Sequence, residues 1–249
     1  MIYILLFLYG ITLGSFYNVV GLRVPVGQSI VSPGSHCPSC GHKLGAVELI
    51  PVLSYFIQKG KCRGCQSRIS PLYPGIEFLT GVLFATAPLV VGWNGELLIA
   101  LTLISLFVII FASDLAYMII PDKVLLVFAA IFFVERLFIP LTPWWDSLLG
   151  AAIGFLLLLF IAVISKGGMG GGDIKLFAVI GFVVGTKTFF LAFFCATLLG
   201  AFFGVIGIAF GFVKKGKPIP FGPFIAVGTL IAYYFGDEMV TMYINILLR

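Results

Sequence analysis

Two kinds of residue in this 249-residue chain carry obvious chemistry: a double pair of cysteines and a small set of carboxylates. Cys37-Pro38-Ser39-Cys40 and Cys62-Arg63-Gly64-Cys65 are CxxC pairs with 21 residues between them. Each pair can hold one edge of a tetrahedron, and four thiolates close a structural zinc site with no open position for water. Glycines 41 and 64 suit the tight turns, and neighbouring basic residues offset thiolate charge. Stable disulfides or redox dithiols are the rival readings, and cytoplasmic placement argues against stable disulfides. The fifth cysteine, Cys195, reads as a small buried apolar residue. His36 and His42 flank the first pair and read as surface residues, since four cysteines suffice.

Of the ten acidic residues, most have plain explanations. Glu96, Glu135, Asp146, Asp237 and Glu238 fall near the outer ends of apolar runs and are expected to be solvated. Glu48 belongs to the cysteine segment. Asp122 follows Pro121, where a carboxylate can cap a helix and meet the positive end of its dipole. Asp114 lies late in an apolar run, seven residues before Pro121. A continuing helix would bury it roughly 10 Å from that break, and a helix ending there would set it against the negative end of the dipole. Asp173 closes the stretch Lys166-Gly167-Gly168-Met169-Gly170-Gly171-Gly172-Asp173-Ile174-Lys175. It reads either as a helix cap or as a costly acid at membrane depth. Glycines 170, 171 and 172 would let an extended substrate backbone approach. Two carboxylates in reach of each other do not both ionise easily, so one keeps a proton while the other activates water. That is aspartyl-protease chemistry, with base and acid serving the two ends of a peptide bond.

These groups are positioned by an overwhelmingly apolar chain. Hydrophobic residues make up 61% and charged residues 10%, against about 25% charged in a soluble domain. The expected class is an all-α polytopic membrane protein with about eight transmembrane helices and a small cytoplasmic zinc-binding insert after the first. Spans are expected at 2–20, 76–92, 97–112 (apolar on to 120), 124–139, 147–164, 174–185, 189–213 and 221–235. The first run lacks a charged n-region and a small-residue cleavage site, and reads as a retained span. The implied division is a first helix at 1–22, a four-cysteine zinc module at 23–75 and a helical core at 76–249. No internal repeat is evident. Loops on one side hold twelve of the fifteen Lys and Arg, which makes that side cytoplasmic and puts both termini outside. The net charge of +5 is spread over these loops and is no nucleic-acid footprint.

The ordered motifs resemble those of the bacterial type IV prepilin peptidases along almost the whole chain. Gly14-Ser15-Phe16-Tyr17-Asn18-Val19-Val20 with Arg23-Val24-Pro25 is similar to that family's N-terminal pattern. The two CxxC blocks, then Tyr73-Pro74 and Glu77, resemble its zinc module and YPxxE element. Asp114 through Pro121-Asp122 is similar to its D-x6-PD motif, Gly170-Gly171-Gly172-Asp173 to GxGD, and Pro220-Phe221-Gly222-Pro223-Phe224 to its PFGPF segment. The extra glycines before GxGD are a departure that bears on the loop's conformation. The resemblance implies an inner-membrane enzyme acting on prepilins or pseudopilins. It would cleave the leader after a glycine on the cytoplasmic side, with Asp114 and Asp173 as the catalytic pair. It further implies methylation of the new N-terminal residue with S-adenosylmethionine. No GxGxxG-type turn is present for that nucleotide. Ser15, Asn18, Arg23 and Glu77 are the candidates for its site or for structural support. The rival classes are a transporter binding ions at Asp114 and Asp173 and a membrane thiol oxidoreductase. A zinc metalloprotease is disfavoured by two histidines and no HExxH.

Overall fold

A computed structural model describes residues 1–166, 168–211 and 219–247. The expected basic loop Lys214–Lys217, the end of the span at 189–213, Gly167 and Arg249 lie outside them. The chain forms two compact units, Met1–Ala116 and Tyr117–Arg249, and among the described residues there is no β-strand, only two isolated bridges in the cysteine module.

The first unit is built on three long helices, α1 (Ile2–Arg23), α3 (Leu72–Val91) and α4 (Glu96–Tyr117), with a short α2 (Leu53–Ile57) in the intervening module. Without a hydrophobic drive between helices in lipid, close packing needs small residues at the seam. Gly10 and Gly14 provide it: a Cβ at Gly10 would strike Gly81, and one at Gly14 would strike Thr80 and the Cα of Glu77. Asn18, one turn on, donates from Nδ2 to the Tyr73 carbonyl at 3.2 Å. Rising positions on α1 thus meet falling positions on α3, so the pair is antiparallel. Tyr17 donates to Ser105 Oγ at 2.7 Å and Gly21 abuts Ala112, which makes α4 run the same way as α1. The C-terminus of α4 therefore lies at the Arg23 end, the end that carries the cysteine module. α4 is the most buried span.

The second unit holds α5 (Asp122–Phe138), α6 (Asp146–Ile164), α7 (Gly171–Ala209) and α8 (Gly222–Leu247). α7 is not one rod. Gly185 has φ 77° and ψ 174°, and the rings of Phe177 and Phe193 lie 5.6 Å apart. Sixteen residues of straight helix would separate them by about 24 Å. The chain thus reverses at Gly185 into two antiparallel helical segments, as expected for separate spans at 174–185 and 189–213. Backbone groups on both sides of the break find side-chain partners. Arg136 on α5 donates to the Val183 carbonyl from Nε and Nη2, and to Ile139 from Nη1 at 3.1 Å. Asp146 accepts from the Thr186 N–H at 3.1 Å, capping the second segment. The expectation that Glu135 is solvated fails, since it is 7% exposed and Arg136 beside it 5%. Arg136 is drawn inward because the reversal frees a carbonyl at Val183 that only a donor from another helix can reach.

By length and composition five described helices could cross a membrane: Ile2–Val26, Leu72–Val91, Glu96–Tyr117, Asp146–Ile164 and Gly171–Ala209. α5 is 17 residues long, short of the roughly 20 that a hydrocarbon core asks for.

Candidate active site and metal centre

The cysteine module is two copies of one turn. Cys37 N–H donates to the His42 carbonyl and Gly41 N–H to Cys37; Cys62 N–H donates to Ser67 and Gln66 N–H to Cys62. Bridges His36–Lys43 and Lys61–Arg68 close the two loops. The left-handed residue is Gly41 at φ 73° in the first loop and Gln66 at φ 60° in the second. Gly64 is therefore not the turn glycine that the sequence suggested. A Cβ there would stand 3.2 Å from His42 and 3.5 Å from Cys40 Sγ, so Gly64 lets the two loops close on each other.

That closure brings the four thiols together. All cysteines are unbridged, and the Sγ atoms of Cys37, Cys40, Cys62 and Cys65 lie within 4.8 Å of one another. Cys37–Cys65 and Cys40–Cys62 are 3.9 and 4.0 Å apart. A tetrahedron with Zn–S bonds of 2.3 Å has edges of about 3.8 Å, so the donor set fits zinc. Ser67 Oγ lies 3.6 Å from Cys37 and 3.1 Å from Cys65. This hydroxyl, with the Ser39 and Cys40 amides, lowers the Cys37 thiol to about 6, and Ser67 likewise lowers Cys65.

Glu48 and His42 do more than sequence reasoning assigned them. The Glu48 side chain is 6% exposed; its Oε2 accepts from Gly45 N–H at 2.9 Å and meets His42 Nε2 at 3.1 Å, while Oε1 lies 3.9 Å from Arg63. His42 belongs to the first loop and Arg63 to the second, so one carboxylate ties both to the core of the module. Gly45, then His42 and Arg63, hold its carboxyl below the ordinary carboxylate range. Its spacing from the cysteines carried no signal. His36 stays a surface residue, its Nδ1 2.9 Å from the Gly34 carbonyl.

Ser15, Asn18, Arg23 and Glu77 occupy two neighbourhoods of the first unit. Glu77, 8% exposed, accepts from Val52 N–H at 2.7 Å and is hydrogen-bonded to Ser15. Val52 has φ 63° and ψ −55°, and Leu53 N–H donates to Pro51 at 2.6 Å. This is the strained form of the γ-turn, rare for a β-branched residue. Arg23 donates to the Ser29, Pro33 and Gly34 carbonyls, shaping the entry to the first loop. The polar contacts of all four are made within the chain.

The aspartates lie in different units. Asp114 is 5% exposed in the last turn of α4, and Met118, left-handed at φ 54°, lies just past that helix. The helix ends three residues after Asp114, so the carboxyl stands at the negative end of the dipole, the placement stability least favours. Asp173 is half-buried and is not the cap of α7, which is Gly170. Its own N–H donates to the Gly170 carbonyl, and a Cβ on Gly170 would lie 3.0 Å from Asp173 Oδ2. The three glycines differ in purpose: Gly172 packs where a Cβ would stand 2.8 Å from Ile120 Cβ, whereas Gly171 borders open space. The expectation that Asp122 caps α5 through its side chain fails. Pro121 is the cap, and Asp122 accepts from Lys175 Nζ at 2.7 Å because α5 and α7 begin side by side.

With this geometry in hand, similarity to known proteins can be placed on it. Residues 8–91 match the bacterial peptidase A24 N-terminal domain and residues 101–205 the type IV leader peptidase family. A prepilin leader peptidase/N-methyltransferase of Bacillus subtilis (strain 168) is 47% identical over 244 residues, covering 98% of each chain. Its namesake in Aeromonas salmonicida (strain A449) is 33% identical over 276 residues, 98% of this chain and 94% of the relative. One in Pseudomonas aeruginosa is 32% identical over 268 residues, 96% and 92%. No solved structure matches the chain. The first matched segment contains the four thiols and the second contains both aspartates. Cysteine module and both aspartates thus fall within matched segments, and the chain belongs to the type IV leader peptidase family.

Proposed function

We propose that this chain is a multi-pass inner-membrane aspartyl endopeptidase that removes the leader of type IV prepilins or pseudopilins, after a glycine, at the cytoplasmic face. Asp114 and Asp173 form the catalytic pair. The observation that carries this reading is Asp114, a carboxylate 5% exposed at the C-terminal end of a spanning helix where the dipole disfavours its charge; Asp173 stands in the first turn of α7, directly after the glycine run. Its further support is that the segment matching the type IV leader peptidase family, residues 101–205, contains both aspartates. The deprotonated member takes a proton from water attacking the scissile carbonyl; its protonated partner gives one to the departing amine. Gly171 leaves space for the substrate backbone. Eight spans, the division at 1–22, 23–75 and 76–249, and a cytoplasmic basic side complete the proposal.

Zinc is assigned to Cys37, Cys40, Cys62 and Cys65. Bound there it would hold the two loops of the module together, and it takes no part in hydrolysis. N-methylation of the new N-terminus, with S-adenosylmethionine as donor, is carried over from the relatives' name. Ser15, Asn18, Arg23 and Glu77 are the candidates for its site or for structural support, and no methyl-transfer step is derived through them.

The test is incubation of the purified, lipid-reconstituted enzyme with a prepilin and labelled S-adenosylmethionine, read by mass spectrometry. Asp114→Asn and Asp173→Asn should each lower cleavage at least about a hundredfold, the scale of acid–base assistance. Full cleavage by either folded variant defeats the pair.

A further inference from the structure

Part of the cysteine module is neither polar nor packed. Val47, Leu49, Ile50, Leu53, Phe56 and Ile57 are 41–69% exposed, with Phe56 highest. Leu53, Phe56 and Ile57 have the i, i+3, i+4 spacing of one helical face, whereas Tyr55 turns away to pack on Gly60. A water-facing module would not normally show so contiguous an apolar surface.

One hydrogen bond ties this apolar segment to a spanning helix. Val52, between Ile50 and Leu53, donates to Glu77 Oε2. Glu77 lies five residues into α3, a 20-residue candidate span. At about 1.5 Å per residue, α3 is about 30 Å long, the thickness of the hydrocarbon core, and Glu77 sits roughly 7.5 Å inside its end. Amphipathic segments in the bilayer interface rest at about 5–10 Å, the same level. Lys59, Lys61, Arg63 and Arg68, all exposed, follow directly in sequence and supply the charge that anionic headgroups attract.

We propose that residues 47–57 form an interfacial anchor. In it the apolar face of α2 rests at the headgroup–acyl boundary of an anionic leaflet, and the Glu77–Val52 bond sets its depth. The strained γ-turn at Val52 follows from this arrangement, because the turn directs its N–H to Glu77 while the chain continues along the membrane. The occupant is lipid because α3, the candidate span that holds Val52 through Glu77, itself exposes Leu72, Tyr73, Phe78 and Leu79 beside that tether.

The experiment uses the zinc-loaded full chain carrying Phe56→Trp, with Trp93, Trp144 and Trp145 replaced by phenylalanine, in bilayers containing phosphatidylglycerol. The introduced tryptophan should be quenched more by lipids brominated near the headgroup than by those brominated near the chain end, and shielded from aqueous iodide. Glu77→Leu, checked for zinc content, should shift quenching towards iodide, and Glu77→Gln, which retains an acceptor, should not. Strong iodide quenching in the starting protein places the patch in water and overturns the proposal. Shielding from both quenchers means that protein covers it and also overturns the proposal. Dominant quenching by deep bromines refutes an interfacial position, and an unchanged profile in Glu77→Leu refutes the depth-setting bond.

Discussion

At the scale of single residues, the charged side chains divide by what their surroundings ask of them. Asp122 and Lys175 are each more than half exposed, so water screens their pair and it contributes at most about 1 kcal/mol. Asp122→Ala should shift thermal stability by no more than that and leave cleavage near wild type. Inactivation with normal folding would move the catalytic role from Asp114 to Asp122. Glu48 acts differently, because it joins the two cysteine loops. Its folded carboxyl lies below the ordinary glutamate value, so its contribution is fully present above about pH 4.3 and fades as pH falls through the lowered value. Glu48→Gln should therefore release zinc to a chelator faster than wild type above that pH. Below it the two proteins should converge, in rates followed with a chromogenic zinc indicator.

Among the elements, glycine decides how helices meet. Gly150 and Gly154 on α6 face Gly181 and the Phe177 carbonyl on α7, with backbone contact where any Cβ would stand. The seam repeats the device of Gly10 and Gly14 in the first unit. Gly150→Val should cost about 1–3 kcal/mol or more by overpacking, seen as a fall of several degrees in the thermal midpoint. Gly185→Ala should be at least as damaging, since φ 77° with ψ 174° is nearly closed to other residues and the new methyl would displace the Asp146 cap. Arg136→Met removes the donors that serve Val183 and Ile139, and stranding such carbonyls costs about 1–3 kcal/mol.

For the molecule as a whole, metal and helices are separable. The segment from residue 24 to 71 contains only short helical pieces, while the long helices lie outside it. Cys37→Ser or prolonged chelation should thus remove the zinc, predicted at about one per chain by metal analysis, with little change in far-UV circular dichroism. Protease cuts should then open between residues 28 and 70. A large loss of helicity on chelation would mean that the module supports the helices rather than resting on them.

Much of this was legible beforehand. Long apolar runs can satisfy their backbone in lipid only as helices, so the places of the long helices among the described residues followed from hydropathy. The spacing of Cys37, Cys40, Cys62 and Cys65 announced a tetrahedral donor set, since CxxC is a local geometry. The ordered motifs around Asp114 and Asp173 marked the acids. What the linear chain did not contain was contact between distant segments. Glu135 looked solvated until packing buried it, and the partner of Arg136 appeared only once Gly185 reversed α7 and freed the Val183 carbonyl. Asp122 looked like a cap until α7 brought Lys175 beside it. Glu48 carried no pattern of its own and Glu77 only its place in the YPxxE element, because a carboxylate's role depends on which donors the fold aims at it: Gly45, His42 and Arg63 in one case, Ser15 and Val52 in the other. Local chemistry and hydropathy are written residue by residue, whereas pairing across elements exists only once the helices are packed.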